Sequence, residues 1–194
     1  MNDWSRDGRF LLYTVRSSHD YSSPLPVTGD QTWALPLSGD AKATPFHRTE
    51  YTKGFGAFSP DGKWIAYMAD QSGRFEIYVC AFQAARAAAT GDYAGGGEWQ
   101  ISEGGGFFPH WRGDGRELFY ATGDGRIMAA PVTTGASFQA GVARVLFTNN
   151  FGENMLAGNF AVTGDGQRFL MPIPLPTDSL SATIVFNWTK EFHQ

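Results

Sequence analysis

Four aspartates are the most regularly placed of the residues whose side chains could do chemistry. Asp7, Asp61, Asp114 and Asp165 are each followed by glycine, and their successive separations are 54, 53 and 51 positions. Carboxylates can act as general acids and bases, but one that recurs in every unit of a repeat is typical of a structural turn. Aspartate accepts hydrogen bonds from turn amides, and glycine adopts the positive φ that other residues resist. We therefore predict turns at Asp7-Gly8, Asp61-Gly62, Asp114-Gly115 and Asp165-Gly166.

The histidines and the cysteine do not form a metal-binding or catalytic set. His19, His47, His110 and His193 lack the short spacings of histidine metal ligands. Cys80 is the only cysteine, which excludes an internal disulfide and a cysteine-based zinc site. The sequence also lacks the Gly-x-Ser-x-Gly motif of serine hydrolases and the signature motifs of protein kinases. We therefore predict no metal, no cofactor and no catalytic residues.

The segments that must position these turns repeat with them. An apolar strand is predicted after each turn, at Phe10–Val15, Trp64–Ala69, Glu117–Ala121 and residues 168–173. A third strand is predicted in each unit at residues 32–37, 77–82, 127–132 and 183–188, and a weaker fourth at residues 44–48, 99–102 and 145–148. A bulky residue lies three positions before each aspartate, and we predict that it packs between neighbouring units: Trp4, Phe58, Trp111 and Val162.

Four-stranded antiparallel units with two apolar faces bury both faces by stacking radially. The sequence therefore predicts an all-β fold, a β-propeller of four-stranded antiparallel blades with about four blades or part-blades, and so a partial or open propeller. Residues 1–194 form a single predicted domain, and the Ala/Gly-rich residues 83–98 are predicted to be a flexible loop insertion. A sandwich with an internal duplication is the alternative fold.

Composition narrows the classes of partner. The chain has 15 Lys and Arg against 19 Asp and Glu, a net charge of −4, and no run of like charge. This distribution argues against nucleic-acid binding and against polybasic attachment to membranes. The longest apolar runs are about strand length, so no direct membrane insertion is expected.

The turn sequences resemble the TolB-like, WD-like propeller repeats that carry a Ser-Pro-Asp-Gly turn. The resemblance is carried by Phe58-Ser59-Pro60-Asp61-Gly62-Lys63-Trp64-Ile65-Ala66-Tyr67. More specifically, the chain is similar to the C-terminal propeller region of bacterial serine/threonine protein kinases of the acidobacterial type. That similarity is carried by residues 72–79, 99–102, 104–106 and 111–120 and by the ending Asn187-Trp188-Thr189. The longer insertion at 83–98 and the small number of blades depart from the family pattern.

Aromatic and polar residues next to the innermost strands are the candidate binding residues. Phe107 and Phe108 follow the glycines at 104–106, and Glu153 and Asn154 lie in the segment before the fourth unit. His110 occupies the position held by Asp3, Ala57 and Ala161 in the other units. The first strand of a blade lies innermost, so we predict that these residues line one rim of the channel, where loops on a rigid scaffold bind partners. Packing in the core is the alternative role for each of them.

The predicted function is a non-catalytic β-propeller module that binds a protein or a small-molecule ligand. The resemblance implies the sensor or interaction part of a larger bacterial protein in an extracytoplasmic or periplasmic location. One alternative is an accessory propeller domain of a prolyl-oligopeptidase-like serine peptidase. Another is a glycan-binding propeller, for which the sequence offers only Glu117 and Glu153 beyond the turn aspartates. An open stack of blades leaves two apolar end faces, so a homodimer that closes the propeller is also expected.

Overall fold

The computed structural model describes residues 1–17, 29–39, 42–47, 49–84, 93–135, 137–148, 160–172 and 184–185. These residues form strands and turns, and no helix occurs among them. In this described part of the chain no helix has the length and apolarity to cross a membrane.

The strands form four antiparallel sheets in the order of the sequence. The first sheet contains β1 (Asp3–Trp4), β2 (Phe10–Val15), β3 (Gln31–Pro36) and β4 (Thr44–Pro45). The second contains β5 (Lys53–Phe58), β6 (Trp64–Ala69), β7 (Glu76–Phe82) and β8 (Ala94–Gln100). The third contains β9 (Phe107–Trp111), β10 (Glu117–Ala121) and β11 (Arg126–Thr133). Two further strands, β12 (Gln139–Ala140) and β13 (Arg144–Thr148), each pair with β11. The fourth contains β14 (Ala161–Val162), β15 (Phe169–Leu170) and β16 (Ile184–Val185).

This architecture confirms the predicted all-β fold of four antiparallel sheets, each a blade or part-blade of a propeller. Three of the four predicted second strands have the predicted bounds. The main difference lies in the second blade, where β8 begins at Ala94 and pairs with β7. The described end of the predicted insertion at 83–98 is therefore part of a sheet, because Ala94 and Gly95 pair with Phe82 and Ala81. Residues 85–92 lie outside the described residues.

Each Asp-Gly pair lies in the turn between the first and second strands of its blade. In the second blade Ser59 Oγ donates to Asp61 Oδ1 at 2.6 Å, and the Lys63 amide donates to the same oxygen at 3.1 Å. Gly62 has a φ of 68°, and its amide donates to the Ser59 carbonyl at 2.8 Å. Ser5 and Thr163 supply the hydroxyl in the first and fourth blades. The carboxylate thus accepts hydrogen bonds from donors within its own turn and holds the turn in place.

The two faces of each sheet contact different neighbours. We call the face toward the preceding blade the leading face, and the face toward the next blade the trailing face. At the junction of blades 1 and 2, Phe10 and Leu12 on the trailing face pack against Ile65 and Tyr67 on the leading face. The same positions relative to the turn aspartate build the other two junctions, with Ala66 against Leu118 and Tyr120, and Phe119 against Phe169 and Met171. The core of the protein is therefore a series of junctions between sheets.

The bulky residue before each turn follows this scheme in all blades except the first. Phe58 and Trp111 are buried in the first and second junctions, and Val162 packs against the third. Trp4 was predicted to pack between units, but 56% of it is exposed. The prediction was wrong for Trp4 because Trp4 lies on the leading face of the first blade, which no other described sheet covers.

Candidate functional site

A cavity of about 620 Å³ lies between the innermost strands of the blades. β1, β5 and β9 supply most of its wall, and the rest comes from Asn2, Arg6, Pro60, Gly113 and Gly164. A volume in this range is typical of sites for small ligands or inserted side chains. Its aromatic rings, histidine and carboxylate make it the candidate binding site, and we call it the inner cavity.

Two phenylalanines with unusual backbone conformation form the apolar part of the inner cavity. Phe55 and Phe108 have φ values of 53° and 55°, and among the described residues they alone are non-glycines with positive φ. Both occur six positions before a turn aspartate, and the pairing register shifts near each of them. Their rings meet edge to face with centroids 4.8 Å apart. Left-handed backbone costs a bulky residue free energy, so such residues persist where the surrounding structure holds them, often at functional sites.

Asp3 contributes a half-buried carboxylate to the same cavity. Its Oδ2 accepts a hydrogen bond from the Phe58 amide at 2.7 Å, which joins the first blade to the second. Its Oδ1 accepts from the Trp4 amide at 2.8 Å. Burial raises the pKa of Asp3 above its usual value, although these two backbone hydrogen bonds oppose the shift. A carboxylate that is costly to keep charged in a cleft is a typical partner for a cationic or hydrogen-bond-donating ligand group.

His110 also lines the inner cavity, on β9 next to Phe108. Its ring lies 4.6 Å from the ring of Phe160, centroid to centroid, at an interplanar angle of 61°. The contact joins the third blade to the segment that leads into the fourth. His110 and Asp3 occupy equivalent positions in their blades, four before the turn aspartate. The repeat therefore contributes one polar side chain to the cavity wall from the same position of each of these two blades.

The structure separates the five predicted rim residues. Phe108 and His110 line the inner cavity. Phe107 is half-buried and packs against Phe75 and Phe108, so it contributes to the second and third junctions and does not line the inner cavity. Glu153 and Asn154 lie outside the described residues. Asp3 and Phe55 were not predicted, although both have sequence signals: Asp3 shares the repeat position of His110, and Phe55 shares that of Phe108.

A second polar cluster lies at the first junction, away from the inner cavity. Lys53 is fully buried, its Nζ is 3.7 Å from Glu98 Oε2, and it lies 4.6 Å from the centre of the Tyr67 ring. Tyr67 and Gln71 donate hydrogen bonds to the Glu98 carboxylate. Burial opposes ionisation of Glu98, but the neighbouring His47, the hydrogen bonds from Gln71 and Tyr67 and the charge of Lys53 lower its pKa to about 2. Burial lowers the pKa of Lys53.

This second cluster opens onto a smaller cavity of about 290 Å³, lined by His47, Cys80, Glu98 and residues 94–97. Burial raises the pKa of the Cys80 thiol to about 11, so the thiol is not an activated nucleophile. Within the described ranges, no group of three or more histidine, cysteine, aspartate or glutamate side chains is arranged to hold a metal ion.

Solved structures with the same fold come from several functional classes. TolB from Acinetobacter baumannii matches with a TM-score of 0.54 at 15% identity, over 87% of this chain and 36% of that one. The periplasmic gluconolactonase of Pseudomonas aeruginosa matches with a TM-score of 0.53 at 14% identity, over 87% of this chain and 48% of that one. A puromycin-hydrolyzing peptidase of Mycobacterium tuberculosis matches with a TM-score of 0.50 at 20% identity, over 87% and 27%.

These likenesses establish the β-propeller fold, since the identities are too low to carry more. The chain spans between 27% and 48% of the length of these three structures. Enzymes are among them, so the fold itself is compatible with catalysis as well as with binding. No protein-family model and no curated protein matches the sequence.

Proposed function

We propose that the chain is a non-catalytic propeller module whose inner cavity binds a peptide segment of a partner protein. The observation that carries the proposal is the pairing of Phe55 with Phe108, both in left-handed backbone at equivalent positions, in the wall of the inner cavity. Backbone strain of this kind persists where the surrounding structure holds it, and it is frequent in ligand-binding sites. Phe55, the half-buried member of the pair, offers an apolar surface to an inserted side chain, and the buried Phe108 ring supports it from behind.

The polar residues of the cavity suit a peptide. Asp3 has a half-buried carboxylate that can accept a hydrogen bond from a peptide amide or a cationic side chain, and His110 lies in the same wall. Extended peptides bind through alternating apolar and hydrogen-bonding contacts. A partner segment would therefore place an apolar side chain against Phe55 and a hydrogen-bond donor against Asp3.

Panning a display library of short random peptides on the chain tests this function. Enriched peptides should bind the unmodified chain and lose about tenfold in affinity to the Asp3→Asn variant, equivalent to about 1.4 kcal/mol. Val145→Asp, on the outer strand β13, is the matched control and should leave the affinity unchanged. Failure to enrich any peptide, or equal affinity for Asp3→Asn, would contradict the proposal.

We also propose that the module belongs to a larger extracytoplasmic bacterial protein, linked to a kinase. The support is the resemblance of residues 72–79, 99–102, 104–106, 111–120 and 187–189 to kinase-associated propellers, together with the fold shared with TolB and a periplasmic gluconolactonase. Sequencing the gene on both sides of the coding segment tests it. A kinase domain and a membrane helix upstream would support the proposal, whereas an adjoining hydrolase domain would instead support the accessory domain of a serine peptidase.

A further inference from the structure

The two ends of the described blade stack expose the two complementary halves of a blade junction. At the trailing face, the residue five positions after the turn aspartate is buried in blades 1 to 3, at Leu12, Ala66 and Phe119, each no more than 1% exposed. The equivalent Leu170 of the fourth blade is 48% exposed. All four residues are apolar, but no described sheet lies against the trailing face of the fourth blade, where Leu170 is located.

The leading face shows the same pattern at the other end. The residues four positions after the turn aspartate in blades 2, 3 and 4 are Ile65, Leu118 and Phe169, and all are buried. The equivalent Leu11 of the first blade is only half-buried, and Trp4 beside it is 56% exposed. Leu11 pairs across the sheet with Trp4 and with Leu35, and the neighbouring Tyr13 pairs with Trp33. These side chains share one apolar face of the first sheet.

We infer that a second copy of this chain covers both faces, head to tail, so that two copies close one eight-bladed ring. The leading face of blade 1 would receive the trailing face of blade 4 of the other copy. Each contact would repeat the Leu12–Ile65 and Phe119–Phe169 pattern that the three internal junctions already use. A second copy fits this surface because it presents both halves of the junction at once.

Symmetry and blade number are consistent with closure. Four blades from each copy give eight, which lies within the range of four to eight blades found in propellers. The two new junctions are identical, so a twofold axis relates the copies and no apolar face is left over. The inference does not depend on the inner cavity, because Leu11 and Leu170 are absent from its wall.

The mass of the chain in solution tests this arrangement. Light scattering coupled to size exclusion should give twice the 21.2 kDa of one chain. Leu11→Asp and Leu170→Asp should each give a monomer, because each variant damages both junctions of the ring. Val145→Asp, at a site of comparable exposure (46%) on β13, should remain a dimer. A monomeric unmodified chain, or an assembly larger than two copies, would overturn ring closure.

Mixing the two variants distinguishes head-to-tail contact from any other dimer. In a mixed pair, the trailing face of the Leu11→Asp copy and the leading face of the Leu170→Asp copy are both intact, so one junction forms. A dimer should therefore reappear in the mixture at higher concentration than the unmodified chain requires. If Leu11→Asp loses its far-ultraviolet circular dichroism spectrum, Trp4→Asp on the same face replaces it. A mixture that stays monomeric, or a Leu170→Asp variant that dimerises alone, would overturn the head-to-tail arrangement.

Discussion

The ring of Phe55 meets the ring of Phe108 edge to face at 4.8 Å, and both residues hold left-handed backbone at the same position of consecutive blades. Each strand bulges at this point, and the bulge turns the side chain toward the inner cavity instead of along the regular alternation of a strand. The repeat thus brings two equivalent deviations from strand geometry together at one site.

The first prediction concerns the backbone of Phe108. Phe108→Ala should cost about 3 to 5 kcal/mol of unfolding free energy, because Phe108 is buried in the third junction and only 2% of it is exposed. Phe108→Gly should be more stable than Phe108→Ala by about 1 kcal/mol, since glycine adopts positive φ without the Cβ penalty. Urea denaturation of the two variants measures the difference.

Ala129 provides the control for that comparison. It is buried in the regular strand β11, outside the residues with positive φ. Ala129→Gly should cost about 0.5 to 1 kcal/mol, the opposite sign to the alanine-to-glycine change at position 108. If glycine is less stable than alanine at position 108 as well, the left-handed conformation of Phe108 is not supported.

The second prediction compares the two members of the buried ion pair. Glu98→Gln should cost about 3 kcal/mol, because it leaves the charge of fully buried Lys53 without its counter-ion. Lys53→Met should cost no more than about 1 kcal/mol, because the Glu98 carboxylate keeps its hydrogen bonds from Tyr67 and Gln71. Chemical denaturation at neutral pH measures both. A Lys53→Met variant as unstable as Glu98→Gln would contradict the account of the cluster.

The third prediction is a loss of stability in acid that comes from the turns. Hydrogen bonds from Ser5 and Arg9 lower the pKa of Asp7 to about 2, and those from Arg126 and Thr122 do the same for Asp124. A carboxylate whose pKa is depressed on folding stabilises the protein above its unfolded pKa of about 3.9, and this contribution is lost as the pH falls toward the folded value. The melting temperature should therefore fall as the pH is lowered from about 4 to 2. Asp7→Asn should flatten this decline, whereas Glu50→Gln at another exposed carboxylate should not.

The fourth prediction concerns Asp3, whose pKa is shifted upward, in the opposite direction to that of Asp7 and Asp124. Burial raises the pKa of Asp3, so the protonated carboxyl is favoured in the folded protein. Its contribution to stability is present below the unfolded pKa and is lost as the pH rises through the folded value. Carbon-13 NMR of the carboxyl group should show a midpoint above the usual value of about 3.9. A midpoint below that value would show that the hydrogen bonds from Phe58 and Trp4 outweigh burial.

The repeat and the fold could be predicted because they depend on local chemistry. Asp-Gly turns and apolar strands are determined by residues that are close in the sequence. The turn at Asp61 and the strand at Trp64–Ala69 could therefore be predicted. Phe108 and His110 could be predicted as candidate site residues because the first strand of a blade lies innermost. The exposure of Trp4 could not, because it depends on which face has a neighbouring blade.

The second polar cluster and the bulges were missed for a related reason. Lys53 and Glu98 come together through the pairing of β5, β6, β7 and β8, and nothing near either residue in the sequence specifies that contact. The left-handed backbone of Phe55 arises where two strands lose register, which depends on long-range pairing. Aligning the repeat units would have shown that Phe55 and Phe108 share one position.

Chemical-shift mapping on the nitrogen-15-labelled chain tests the central claim, that the inner cavity binds a peptide segment, most directly. Titration with an enriched peptide should shift the amide signals of Asp3, Phe55, Phe108 and His110, and should leave those of the outer strand Arg144–Thr148 in place. The same titration of the Asp3→Asn variant should require about tenfold more peptide. Shifts confined to the outer strands, with the inner-cavity signals unchanged, would contradict the account.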